Sequence, residues 1–580
     1  MAQTTTDVLI IGSGPTGTTM ALELAAQGIS FRIVDKIGQR SDKSKALAVQ
    51  PRSLELMNRH GPVERLVERG NIGLGGAIFV NGKKAADLDL GGVRATRDSA
   101  FPHTVLAPQS ETEGFLAECL ATRYGRAVEF GTEATSVVQD DDGVTVTLRK
   151  VTSLSSSPPS SSASSTRGDD DRDGDSEPQE TETVRVKYVV GADGAHSVVR
   201  HAAAVKFEGD AYRQDFILCD AHIRNTTIPR HRFQICMRYG LLLVFPLGND
   251  VVRLVASRPG VPATNDPVLG DFQEWLEYMV PGGSAGELFD PIWMTRFKLH
   301  HRVSTNYRDG HLLLAGDAAH IHSPAGGQGM NTGIQDSVNL GWKLGRVLRG
   351  EQPDAFLDTY NEGAPAWSSD WLFNLTASQS WLWLFFRNLL APWVLPYLLD
   401  NEERRNHAFR FASQLGIRYR HSSIVGTAEG FSGPVLGGDR APDGPVVIES
   451  CGQVGEKQKK QREMRLHELL TPDKHHLLLF SGVIPSGAVS GDDLQQAAEI
   501  FQEKNSGATS SVHVLIAGPS LGGSSSSSST DWGCYKDVDG VLHTRYGFKD
   551  GAGYAYIRPD GHVAHIGPFD ALPSFMKWLK

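Results

Sequence analysis

Five cysteines in 580 residues, with no C-x-x-C pair among them, deny this chain the dithiol chemistry of a disulfide oxidoreductase. Cys119, Cys219, Cys236, Cys451 and Cys534 are scattered and odd in number, which excludes a disulfide framework and reads as thiols in a reducing, cytoplasmic setting. Positive charge is also scarce: 57 Lys and Arg face 67 Asp and Glu, a net charge of −10. No basic surface results, so nucleic acid is not an expected partner. No metal site is expected either. Met1 to Asp7 is short and polar, with neither a secretory nor a transit pattern, and Trp578-Leu579-Lys580 is not a peroxisomal address. The longest apolar stretch, Trp381 to Leu399, approaches the length of a membrane span. Arg387, Asn388 and two prolines interrupt it, so it reads as a helical connector packed on the rest of the chain or on a second subunit, not an integral span.

What is present is punctuation by glycine. Val8 to Ile11 reads as a buried strand, followed by Gly12-Ser13-Gly14-Pro15-Thr16-Gly17, a helix expected over Thr18 to Gln27, and a second strand, Phe31 to Val34, that ends at Asp35 and Lys36. Strand, G-x-G-x-x-G, helix, strand and acid is the dinucleotide fingerprint in its required context. Gly12 makes the tight turn, Gly14 lets backbone approach a pyrophosphate, and Gly17 allows close helix–strand packing, while Asp35 accepts from a ribose. A second cluster lies at His311 to Leu344. A short apolar strand (Leu312 to Leu314) delivers Asp317, and Gly326, Gly327 and Gly329 lead into a helix of about five turns. Glycines there remove the Cβ atoms that would hold off a flat ligand, and the helix N-terminus offers N–H groups to an oxygen carrying negative charge. Between the two, a strand expected over Val184 to Val190 runs into Gly191-Ala192-Asp193-Gly194 and on to Arg200.

The order G-x-G-x-x-G, Asp-Gly, Gly-Asp along the whole chain resembles the flavoprotein monooxygenases that hydroxylate aromatic rings. The wording His322-Ser323-Pro324-Ala325-Gly326-Gly327-Gln328-Gly329-Met330-Asn331 is most similar to their phenol hydroxylase branch. The resemblance implies an α/β fold: a Rossmann-like FAD-binding domain (1–75, 107–202 and 296–360) interleaved with an antiparallel-sheet substrate domain (76–106 and 203–295). A helical connector (361–415) and a thioredoxin-like α/β domain (416–580) would follow, the last redox-silent and serving dimerisation or bracing. It further implies FAD as cofactor, NADPH or NADH as co-substrate, and hydroxylation of an aromatic substrate by O2 through a C4a-hydroperoxyflavin. Asp317 is then the acid on the ribityl chain, and Pro324 and Gly327 to Asn331 border the flavin ring. Ser44-Lys45-Ala46-Leu47-Ala48-Val49-Gln50 resembles the segment over the flavin and its phosphates, and Gln109 a glutamine that contacts the cofactor. Dearomatising hydroxylation, epoxidation and Baeyer–Villiger oxidation remain alternatives within that chemistry, and a flavin-bound carrier protein remains one outside it.

The substrate side is expected from strands over Phe216 to Ile223, Phe233 to Tyr239, Leu241 to Phe245 and Val251 to Ala256. Alternation places Phe233, Ile235, Met237 and Tyr239 on one face and Arg232, Gln234, Cys236 and Arg238 on the other, without saying which looks inward. His222, Tyr239 and Arg253 are the catalytic candidates. Two departures from simple phenol hydroxylases stand out: Leu47 occupies the place of an aspartate, and Val255 that of a tyrosine. Both suggest a larger, polyketide-derived phenolic substrate. Thr152 to Thr183, Ser/Pro-rich and then acid-rich, reads as a disordered insertion, and Gly522 to Thr530 as a serine run. After Gly416 a β-α-β-β-α order is expected: His476 to Phe480, Leu494 to Gln502, Val512 to Ala517, Tyr554 to Ile557 and Ala571 to Leu579.

Overall fold

The computed structural model describes residues 6–40, 46–73, 75–89, 97–151, 180–257, 266–280, 285–321, 327–362, 390, 393–394, 397, 401–448, 463–484, 487–505, 510–517 and 532–579. Lys45, Pro324, the bulk of the insertion (152–179), the serine run, Cys451 and most of the 381–399 stretch lie outside them. No helix among the described residues is long and apolar enough to cross a membrane.

The first element is a five-stranded sheet in which Leu312–Leu314, Tyr188–Gly191, Val8–Ile11 and Phe31–Val34 lie side by side and parallel. Its strands are runs of Val, Ile and Leu buried on both faces, as a parallel sheet between helices requires. One strand expected over Val184 to Val190 is in fact two. Thr181–Val186 pairs antiparallel with Gly143–Lys150 in a separate three-stranded sheet, while Tyr188–Gly191 enters the parallel sheet. Lys187 makes the break: it donates its N–H to the Asp7 carbonyl and pairs its ammonium with Asp7, so a charged residue turns outward between two sheets. Thr181 to Thr183, expected within the insertion, begin the first of these strands.

The helix after the fingerprint spans Pro15–Ala26, three residues earlier than expected. Pro15 sits in its first turn, where the missing N–H would have had no intrahelical partner in any case. The long helix Gly329–Leu348 crosses it at close range. A Cβ on Gly333 would stand 2.2 Å from Thr16 Oγ1, and one on Gly341 2.5 Å from Glu23 Cβ. Ser337 Oγ donates to the Thr16 carbonyl at 2.8 Å. Small residues at a spacing of four along one helix thus let two backbones approach and bring the glycine loops of both motifs together.

An eight-stranded sheet draws its strands from Gly75–Val80, Lys83–Asp89, five between Phe207 and Ser304, with Phe233–Met237 among them, and the short His320–Ile321. Its longest pair, Phe207–Arg224 against Glu287–Ser304, is antiparallel, and the second strand crosses residue 296 without a break. Helix Leu269–Met279 covers one face, packing Phe272, Trp275 and Leu276 on Cys219, Cys236, Leu242 and Leu254. The C-terminal part holds a second eight-stranded sheet. Its strand His475–Phe480 pairs parallel with Ser510–Ile516 and antiparallel with Gly553–Ile557. The expected elements are there, together with strands the expected order omitted, Pro445–Ile448, Trp532–Asp537 and Val563–Pro568, and the helix Val541–Tyr546.

Candidate active site

Three glycines in the first loop behave differently. A Cβ on Gly12 would stand 2.3 Å from the Ala192 carbonyl oxygen, and one on Gly17 1.9 Å from the Gly12 oxygen, whereas nothing lies within 4 Å of one on Gly14. Gly12 and Gly17 are therefore required by packing, while the space beside Gly14 borders the N-terminus of the first helix. That is the place for an anionic diphosphate. Asp35 sits at the end of its strand and accepts from Ser13 N and Oγ at 2.7 and 2.8 Å and from Ile37 N at 3.1 Å, which fixes the loop to the carboxylate; Lys36 beside it is exposed. Asp193 accepts from Val198 N at 2.7 Å with one oxygen, while the other is buried with no hydrogen-bond partner. Burial pushes its pKa up. An orphaned carboxylate oxygen beside the fingerprint, an open glycine and two helix N-termini fit a dinucleotide cofactor.

The second loop is held from several sides. Asp317 is exposed at the end of Leu312–Leu314, in a short 3-10 turn. Asp336, buried on the long helix, accepts from Gly316 N at 2.9 Å and from His320 Nε2 at 2.6 Å. Burial by itself would lower the His320 pKa, but Asp336 outweighs it and raises it. Arg200 donates to the Ala318 and Ala195 carbonyls at 2.9 and 2.7 Å, joining the Asp-Gly and Gly-Asp motifs. Gln328 caps the long helix without a side-chain hydrogen bond, and the first intrahelical bond runs from Thr332 N to Gln328 O, so Gly329, Met330 and Asn331 form the open first turn.

Asn331 is a clamp. Its Nδ2 donates to Ala48 O at 2.8 Å and Gly327 O at 2.7 Å, and its Oδ1 accepts from Gln50 N at 2.8 Å. Gln109 Oε1 accepts from Ala46 N at 3.3 Å, and Gln50 Oε1 accepts from Thr104 Oγ1 at 2.9 Å. The strip Ala46 to Gln50 is thus pinned against the loop at Gly327.

The sheet's inward face is decided by Arg253. Its Nε and Nη2 both lie 2.7 Å from the two oxygens of Asp220, the residue paired with it across the strands, and its Nη1 is 3.5 Å from the Ala46 carbonyl. The face opposite helix Leu269–Met279 therefore turns toward the Ala46 strip. It carries Phe216, Leu218, Ile235, Leu243, Val255, Trp293 and Phe297. The other two candidates stand apart from this group. His222 packs its ring on Phe289 at 5.5 Å, and Tyr239 lies beyond its strand, 55% exposed. Asp220 escaped the sequence reading because nothing local distinguishes an aspartate in a strand. The small residues at 333, 337, 341 and 345 recur at a spacing of four, a local signal of close helix packing that could have found the helix contact.

The family model for an FAD binding domain matches residues 5–371, most of the chain. The chain belongs to this family of flavoprotein monooxygenases. It is 35% identical over 450 residues to an uncharacterized aromatic compound monooxygenase of Bacillus subtilis, covering 76% of this chain and 81% of that one. It is 31% identical over 465 residues to the 12-dehydrotetracycline 5-monooxygenase/anhydrotetracycline 6-monooxygenase of Streptomyces rimosus, with 76% and 81% covered. Among solved structures, an aromatic hydroxylase from angucycline biosynthesis is 26% identical with a TM-score of 0.66 over 97% of this chain and 96% of that one. The chain is an FAD-dependent, NAD(P)H-using monooxygenase that hydroxylates aromatic substrates.

Proposed function

We propose that the substrate is a phenolic, fused-ring aromatic of polyketide type. The observation that carries this reading is the wall beside the Ala46 strip. Ile235, Leu243, Trp293 and Phe297 are half-buried on it, and it runs across five adjacent strands. At about 4.8 Å per strand spacing such a wall is roughly 19 Å wide, broader than one phenol ring. Leu47, buried and apolar, adds no carboxylate to the strip. The tetracycline and angucycline relatives support the same class.

FAD, when bound, supplies the redox chemistry with NADPH or NADH and O2. The chain's own residues hold and shield it. The space at Gly14 and the N-terminus after Pro15 and Thr16 take the diphosphate, Asp35 the adenosine ribose and Asp317 the ribityl hydroxyls. Asp193, with its orphaned oxygen, closes that side of the cofactor site. Gly327 to Asn331 present first-turn N–H groups where negative charge develops on the ring. The apolar wall excludes water from the reacting face. The buried thiols of Cys119, Cys219 and Cys236 accord with a cytoplasmic enzyme.

The test is a substrate screen by NAD(P)H consumption under 18O2, with mass spectrometry of products. Polycyclic phenols should stimulate consumption and gain one labelled oxygen. Phenol or resorcinol turned over as fast as any polycyclic compound would overturn the reading.

A further inference from the structure

The wall facing the Ala46 strip is largely apolar, with Thr295 and Ser257 also in register on it, and it carries one buried ion pair. Asp220 and Arg253 sit opposite each other on neighbouring strands, 8% and 2% exposed, with two 2.7 Å hydrogen bonds between them. Their neighbours on this face are Leu218, Val255, Leu243 and Trp293. A buried ion pair among apolar side chains gives little net stability over a well-packed hydrophobic pair of similar size, so its presence asks for another role. A carboxylate has about four lone-pair positions, and Arg253 occupies one on each Asp220 oxygen. Each oxygen keeps a second lone pair.

We propose that Asp220 is the substrate-binding carboxylate of this enzyme, accepting a hydrogen bond from a phenolic hydroxyl of an aromatic lying along the wall. This rests on the aromatic-substrate reading above and gives it a chemical handle. Arg253 is the positioning residue: it orients both oxygens, and its own contact to the Ala46 carbonyl sets the pair beside the Ala46 strip. Hydroxyl-bearing rings are selected because a dry carboxylate facing an ether or a bare ring loses its hydrogen bond to water and gains nothing in return.

The test uses the FAD-loaded enzyme titrated with 1-naphthol, 1-methoxynaphthalene and naphthalene, read by the change in flavin absorbance. The wild type should bind 1-naphthol about tenfold to a hundredfold more tightly than the other two, the range of a lost charge-assisted hydrogen bond. The ether still accepts from Arg253, so a preference over it reports the hydroxyl proton and hence Asp220. Asp220→Leu should abolish the preference. The double variant Asp220→Leu/Arg253→Met, which replaces the pair by apolar side chains and so avoids a stranded charge, should behave the same way. Equal binding of the three probes by the wild type, or a preference that survives in the double variant, overturns the assignment. A holoenzyme that binds none of the three, with no stimulation of NADPH oxidation, overturns the aromatic-substrate reading as well.

Discussion

The flavin-binding half and the C-terminal sheet bury polar groups to opposite ends. In the first, a loop glycine faces open space, an Asp193 oxygen lacks a partner, and helix N-termini converge on one region. In the second, several polar groups close on one another, although His513 and His562 keep ring nitrogens without a hydrogen-bond partner. His543 lies between Asp537 at 2.7 Å and Ser481 at 3.3 Å, all three buried. A serine, a histidine and an aspartate in that order would suggest nucleophilic chemistry at a surface, but enclosed here they tie strand ends together. His476 Nδ1 and His513 Nε2 stand 3.1 Å apart, an arrangement that needs one donor and one acceptor and so at least one neutral ring. The lesson is that chemistry follows from what is left unsatisfied and reachable, not from which residue types are buried.

The two regions meet through charges. Arg440 of the C-terminal part donates Nε and Nη2 to Glu55 at 2.8 and 2.5 Å and Nη1 to Asp98 at 3.1 Å. Arg52 donates to Glu55 at 3.0 Å and to the Asp560 carbonyl at 2.6 Å. Burial alone would raise the Glu55 pKa, but Arg440 holds it well below the carboxylate range. Helix Pro51–Asn58, which follows the Ala46 to Gln50 strip directly, is thereby fixed by residues far along the chain.

Acid should break the comparison most strongly. Burial lowers the pKa of His476 and His562 to about 4 and of His513 to about 3 from the usual 6.5. The unfolded chain then binds more protons than the folded one below 6.5, so stability falls as pH drops from about 6.5 toward about 4. At about 1.4 kcal/mol per pKa unit, several kcal/mol are at stake. His320 runs the other way: its raised pKa adds stability below 6.5, lost as pH rises through the folded value. Hydrogen exchange at pH 5 against pH 7.5 should therefore open the C-terminal sheet first, and uniform opening would contradict the contrast.

Next in size is Arg440→Ala, which strands Glu55 and Asp98 and should cost about 3–5 kcal/mol in a denaturant titration. Because the pair anchors Pro51–Asn58, flavin affinity should fall with it. The smallest effect on stability separates two glycines of one loop. Gly17→Ala should cost about 1–3 kcal/mol and lose flavin, through its clash with the Gly12 backbone. Gly14→Ala should leave the melting temperature of the apoprotein unchanged and weaken flavin binding at least about tenfold, since only a ligand approaches there.

The sequence by itself determined the glycine loops, the strands that deliver Asp35 and Asp317, and the existence and approximate length of the long helix. Those signals are local: apolar runs, turn chemistry and the steric needs of a few glycines act over one or two elements. It could not divide Val184 to Val190 between two sheets, since both halves are β-branched and only the turn at Lys187 separates them. Nor could it choose the sheet's inward face, because alternation is symmetric until a helix covers one side. Tertiary structure alone decided that Asp220 meets Arg253, 33 residues on, and that Arg440 meets Glu55 across 385 residues. Pairings at such separations depend on where the folded chain returns, and no local pattern records that.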